Sequence, residues 1–105
     1  MLNQIILVGR LAEELELKEL ENGEKIAKVI LAIPRLYKNE DGIYETDFIP
    51  LTLLGNIASN ASEYCQKGDL VGVKGRIENN NTGLEIIADK VTFLSSRSPE
   101  EEKVD

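Results

Sequence analysis

The residues with the clearest chemical use lie mid-chain, where Arg35, Tyr37 and Lys38 stand at the base of a charged excursion running from Arg35 to Glu45, with Phe48 just beyond it. An aromatic ring between two cations suits a ligand that is both anionic and flat, because the cations meet its charge and the ring meets its face. The bland reading of the same residues is a solvated hairpin tip, turned at Asn39–Gly42, with Tyr37 packed on a neighbour. In the strand that follows, Asp47–Leu54, period-two alternation puts Ile49, Leu51 and Leu53 on one face and Phe48, Pro50, Thr52 and Leu54 on the other. The first face reads as core. The second is too apolar for an ordinary solvent face and reads as a binding platform.

Composition removes most other chemistry. The chain has no His and a single Cys, which excludes the usual zinc site, an internal disulfide and a His-based triad. Ile57, Ala61, Tyr64 and Cys65 recur at helical spacing, so Tyr64 and Cys65 read as core on one apolar stripe, and the thiol has no partner base. With no acid–base or metal constellation, neither an enzyme nor a cofactor is expected. Net charge is −7; residues 95–105 hold two cations against four carboxylates, so residues 1–94 carry −5. An acidic body leaves only a local patch and stacking for contact with a polyanion. No apolar run is long enough to span a membrane, the start lacks the basic flank of a secretory signal, and the lone Cys fits a reducing compartment; a cytoplasmic protein is expected.

The elements that must hold these residues are mostly strands. Asn3–Leu11 is apolar on both faces, as a strand covered on its second face by an interface would be. Leu15–Leu20 and Lys25–Pro34 flank an Asn22-Gly23 turn, and Pro34 is expected to end the second of them. After Gly55 a helix of about a dozen residues is predicted, with Asn56 as its N-cap and Gly68 at its C-terminal cap. Leu70–Glu78 contains Gly72 and Gly75, which suit a strand that bends or is closely approached; a polar turn over Asn79–Gly83 leads to a last strand, Leu84–Leu94. Five principal strands with one short helix between the third and fourth is the order of an all-β OB-fold, a Greek-key barrel, whose face around strands 2 and 3 commonly binds oligonucleotides. The predicted domain covers residues 1–95, and residues 96–105 read as a disordered acidic tail.

Several segments carry a resemblance to a known family. Asn3-Gln-Ile-Ile-Leu-Val-Gly-Arg-Leu11, Asn22-Gly23 followed by Ala27-Lys-Val-Ile-Leu-Ala-Ile33, Glu45-Thr-Asp-Phe-Ile49 and Ala61–Arg76 are similar, in order and spacing, to successive segments of the bacterial single-stranded DNA-binding protein family. The similarity runs over about residues 1–95. It implies an OB-fold that assembles as a homotetramer, with a dimer as the alternative, has no enzyme activity, and binds single-stranded DNA in replication, recombination and repair. By the same resemblance Tyr37 matches the stacking position on the arm, Phe48 the start of strand 3, and Leu54 the place where the family often has a second aromatic. Stacking needs no base sequence, since every base has a π-face, and each stacked base contributes about 1–3 kcal/mol. Arg10, Lys28, Arg35, Lys38, Lys74 and Arg76 are the available phosphate partners. Alternation puts Lys28, Phe48, Leu54, Lys74 and Arg76 opposite the core, so that one outer surface gathers them.

The chain departs from the family at Pro50, where a basic or polar residue is common, at Leu54, which cannot stack as an aromatic does, and in its short Asn79–Gly83 turn. The tail is acidic but lacks the family's apolar tip with a terminal Phe, so docking of repair or replication partners is not assigned to it. These losses define a second reading, an OB module of the same type acting mainly in protein assembly with weak or lost DNA binding.

Overall fold

The computed structural model describes residues 1–96. Apolar alternation organises them as β1 (Ile5–Leu11), β2 (Glu16–Glu19), β3 (Lys25–Lys38), β4 (Tyr44–Leu54), α1 (Asn56–Tyr64), β5 (Leu70–Asn80) and β6 (Gly83–Ser95). The strands form one sheet in the order β1-β5-β6-β4-β3-β2. It closes because β1 also pairs with β3, Arg10 opposite Ala32 and Leu11 opposite Leu31. At the other seam β4 and β6 run parallel and meet in one register pair, Thr52 with Ile87. Five strands therefore make the barrel, β2 is appended to the far edge of β3, and α1 lies between the third and fourth barrel strands, in the OB-fold order.

The inner face of each strand fills this barrel. Leu31, Leu51, Leu53 and Val71 are its largest fully buried side chains, and Val29, Val73 and Leu11 pack with them. Each buried leucine contributes on the order of 1.5–3 kcal/mol. Ala58 and Ala61 of α1, with Cys65 just beyond, join the same cluster, so the helix is held by small side chains that let it sit close. The acidic tail expected over residues 96–105 lies, beyond Ser96, outside the described residues.

Several local expectations change. β3 does not end at Pro34: Pro34 stands opposite Thr46, the ladder shifts register, and pairing resumes at Lys38 with Tyr44. A residue without an N–H is tolerated where the ladder is already irregular. The charged excursion is thus an extension of the β3–β4 ladder, and the Asn39 side chain closes its tip by accepting the Asp41 and Ile43 N–H groups. Gly55, not Asn56, occupies the helix N-cap, because its φ of 62° carries the chain out of β4 in a conformation that favours glycine. The helix ends at Tyr64, with Cys65 already extended, so Gly68 is no cap; its N–H instead donates to the Leu11 carbonyl. Tyr64 is 68% exposed rather than core. Ala58, Ala61 and Cys65 centre the buried stripe roughly 90° around the helix from it.

The two glycines of β5 have different reasons to be there. A Cβ on Gly75 would lie 2.3 Å from the Ile87 carbonyl oxygen, at the point where the β5–β6 ladder shifts register. On Gly72 the nearest atom would be the Leu94 side chain at 3.7 Å, an ordinary contact. Gly75→Ala is expected to destabilise the fold by about 1–3 kcal/mol through backbone overlap. Gly72→Ala is expected to stay within about 0.5 kcal/mol of the parent. Urea unfolding midpoints of the two variants measure the difference, and equal midpoints would contradict this account of the bend.

Candidate nucleic-acid interface

The outer face of the β3–β4 hairpin comes from the same alternation that fills the core. Register pairs Ala32 with Phe48, Ile30 with Pro50, Lys28 with Thr52 and Ile26 with Leu54, giving a strip two strands wide. Phe48 is 63% exposed on this strip and Tyr37, on the arm beyond it, 64%. Leaving two rings in water while Leu31 and Leu51 take the interior is unfavourable unless the rings have another use. Pro50 sits in the strip at little cost, because β4 has a second strand neighbour only at Thr52. Leu54 is half-buried at the strand's end, so it packs as well as faces outward.

Charged groups stand at both ends of the hairpin, and those at the arm end lie on the reverse face from Phe48, since Asp47 stands opposite Ile33. At the arm end, Arg35 forks onto Asp47, its Nη2 2.9 Å from Oδ1 and its Nε 3.1 Å from Oδ2, while Nη1 reaches Glu45 at 3.4 Å. Hydrogen bonding to Asp47 raises the Arg35 pKa, and the same bond to Arg35 holds the Asp47 carboxyl below its ordinary range. Lys38 lies 5.7 Å from the centroid of the Tyr44 ring, and Tyr44 is itself exposed.

At the opposite end, Lys28 Nζ donates to Thr52 Oγ1 at 2.9 Å and to Glu85 Oε2 at 3.0 Å. Thr52 Oγ1 in turn donates to that oxygen at 2.6 Å, and Asn80 Nδ2 donates to Glu85 Oε1 at 3.0 Å. These bonds, first from Thr52 and then from Lys28, hold the Glu85 carboxyl below its ordinary range. They also cover Thr52, which is only 3% exposed although it points outward. Beside them lies a cavity of about 230 Å³ bordered by Lys28, Thr52, Asn80, Thr82 and Glu85. Further round the barrel Arg76 pairs with Glu78 at 2.9 Å and with Asp89, and the hydrogen bond to Glu78 leads in raising its pKa.

Of the nine residues singled out from sequence, Lys28, Arg35, Tyr37, Lys38 and Phe48 share the β3–β4 hairpin, with Leu54 at its end. Arg76 adjoins them through Glu78, which stands opposite Glu85. Lys74 stands opposite Ile6 of β1 and Lys90 of β6, on an apolar outer region that includes Val8, so it belongs to a different neighbourhood from Phe48. Arg10 is half-buried, and its Nη1 donates to the Gly68 carbonyl at 3.0 Å, a post that ties down the loop before β5. Sequence reasoning misses Tyr44, Asn80 and Glu85; it places Thr52 on the outer face but not its bonds to Lys28 and Glu85. Tyr44 has a signal, since a turn at Asn39–Gly42 must bring it opposite the cations that precede the turn. Glu85 has little, because only Asn80 is near it in sequence, while Lys28 and Thr52 lie 57 and 33 residues away.

Among the described residues no three His, Cys, Asp or Glu side chains are placed to hold a metal ion, and no helix is long and apolar enough to cross a membrane. The model of the Single-strand binding protein family matches residues 2–94. The chain is 40% identical to "Single-stranded DNA-binding protein B" of Bacillus subtilis (strain 168), an alignment that covers all of both chains. It is 34% identical to "Single-stranded DNA-binding protein 1" of Staphylococcus aureus (strain MSSA476), covering all of this chain and 73% of that one. In fold it is similar to a crystal structure of a deletion mutant of the single-stranded DNA binding protein from Thermus aquaticus, with a TM-score of 0.74 and 24% identity over 91% of this chain and 52% of that one. The match along nearly the whole described chain, joined to a closed five-strand barrel with its helix in the same place in the order, assigns the chain to the Single-strand binding protein family.

Proposed function

We propose that the protein binds single-stranded DNA without sequence preference, as a non-catalytic OB-fold protein acting in DNA replication, recombination or repair in the cytoplasm. The observation that carries this reading is the set of exposed rings, Tyr37, Tyr44 and Phe48, on the same hairpin as Lys28, Arg35 and Lys38. Bases stack on the rings and phosphates reach the cations, and neither contact reads sequence. Full-length similarity to a relative named for the same activity supports it. Tyr37 and Phe48 are the proposed stacking residues, joined by Tyr44. Lys28, Arg35, Lys38 and Arg76 are the proposed phosphate contacts, whereas Arg10, Lys74 and Leu54 are better placed for structural roles.

Self-association is favoured by a different surface and is compatible with DNA binding, unlike the reading in which DNA binding is weak or lost. Ile6, Val8 and Leu94 are exposed on the outside of β1, β5 and β6. Among the described residues, β1 pairs with β3 only at Arg10 and Leu11, so its edge from Ile5 to Gly9 carries no second strand. An apolar face beside an open strand edge favours self-association. A homo-oligomer, a tetramer or a dimer, is proposed on that face.

Fluorescence anisotropy with a labelled oligo-dT is expected to show binding at low salt that weakens as salt is added. Phe48→Ala is expected to weaken it by about 1–3 kcal/mol, the contribution of one stacked base, with no change in solution mass. Absence of binding at every salt concentration, in a folded and assembled protein, would remove this function. For the second surface, Val8→Lys is expected to lower the mass measured by light scattering towards that of one chain. A parent protein already at monomer mass would refute the assembly.

A further inference from the structure

We propose that Asp47, Glu85 and Asp89 are affinity-setting residues, each carboxylate occupying a cation of the strand-binding surface, so that DNA phosphates bind by displacing it. The proposal rests on the reading that the β3–β4 surface binds single-stranded DNA. It concerns residues that the resemblance did not single out and that bear the same charge as the ligand.

The geometry is consistent at each place. Asp47 takes both ends of the Arg35 fork at 2.9 and 3.1 Å, the arrangement a phosphate would otherwise engage. Glu85 accepts from Lys28 at 3.0 Å. Asp89 accepts from Arg76, which also donates to Glu78 at 2.9 Å. Lys28, opposite Thr52, shares the outer face with Phe48, whereas Asp47, opposite Ile33, and its partner Arg35 lie on the reverse face of the same hairpin at the base of the arm. All the partners are at least partly exposed, so a competing anion can reach each cation; the Arg35–Asp47 and Arg76–Asp89 pairs do little for folding, whereas Lys28–Glu85 also spans the barrel seam. Lys38 differs, facing the Tyr44 ring.

Exchange of partners has a signature that simple addition of a phosphate lacks. A cation that meets a phosphate releases counterions from the DNA, and this gives the usual fall of affinity with salt. Where the cation first leaves a carboxylate, the freed carboxylate takes up a counterion, and the two effects partly cancel. Binding is then weaker than the cations alone would give, and its dependence on salt is shallower.

The test compares oligo-dT affinity across a salt series for the full chain and for D47N, E85Q, D89N and their triple combination. The amides keep size and most hydrogen bonds while removing charge. Glu63, exposed on α1, provides the control E63Q, with the same change in net charge away from this surface. Each single amide is expected to raise affinity at low salt by about two- to fivefold, and the triple by about tenfold or more. The triple's log–log salt slope is expected to steepen by about 1. E63Q is expected to change affinity by less than about twofold. Circular dichroism melts confirm that each variant is folded; D47N, out on the arm, carries the test even if E85Q loosens the barrel seam. Amide variants that bind no tighter than E63Q, with an unchanged slope, would overturn the proposal while leaving DNA binding in place. Failure of the parent and every variant to bind would remove both readings. Binding by the triple variant alone would support the displacement proposal.

Discussion

Closing five strands into a barrel leaves one seam in this protein with almost no backbone pairing. Among the described residues β4 and β6 share one ladder pair, Thr52 with Ile87, so side chains must hold what ladder hydrogen bonds do not. Glu85 does so from the outside, joining β6 to Lys28 of β3 and Thr52 of β4 and taking Asn80 from the end of β5. Leu51 and Leu53, beside Thr52, do so from the inside. Alternation makes both possible, since within three consecutive residues it turns two side chains into the barrel and one outwards. The same seam borders the proposed binding strip, so the groups that close the fold are also groups a strand of DNA would meet.

Legibility from sequence followed the range of the interactions. The period-two pattern of Asp47–Leu54 was enough to place Leu51 and Leu53 inside and Phe48 outside, because a strand's two faces are decided by its own residues. Tyr64 was misread because helical spacing alone admits two adjacent stripes, and only the position of α1 against the barrel chooses between them. Pro34 was misread because its local rule, that proline ends a strand, gives way where a ladder tolerates a bulge. The Lys28–Thr52–Glu85 cluster was out of reach altogether, as no local pattern links residues that meet only when the barrel closes.

An acidic body and a polyanionic ligand are reconciled here by placement. The protein carries −7 overall, yet exposed rings and cations share one hairpin. Long-range attraction is therefore weak, and what remains acts at contact distance, where screening matters least. Stacking gains importance under these conditions because it does not depend on net charge. Arg10 and Lys74 show that a cation's presence in the sequence says little about its surroundings; one donates to a backbone carbonyl and the other stands between Ile6 and Lys90.

The continuation of β3 and β4 past the barrel gives the arm a mechanical character. A loop of the same composition would sample many shapes and lose that freedom on closing over a ligand, whereas a paired ribbon has already lost most of it. The irregular step between Pro34 and Lys38 is where that pairing lapses, and Tyr37 lies inside it while Phe48 stands in the regular ladder.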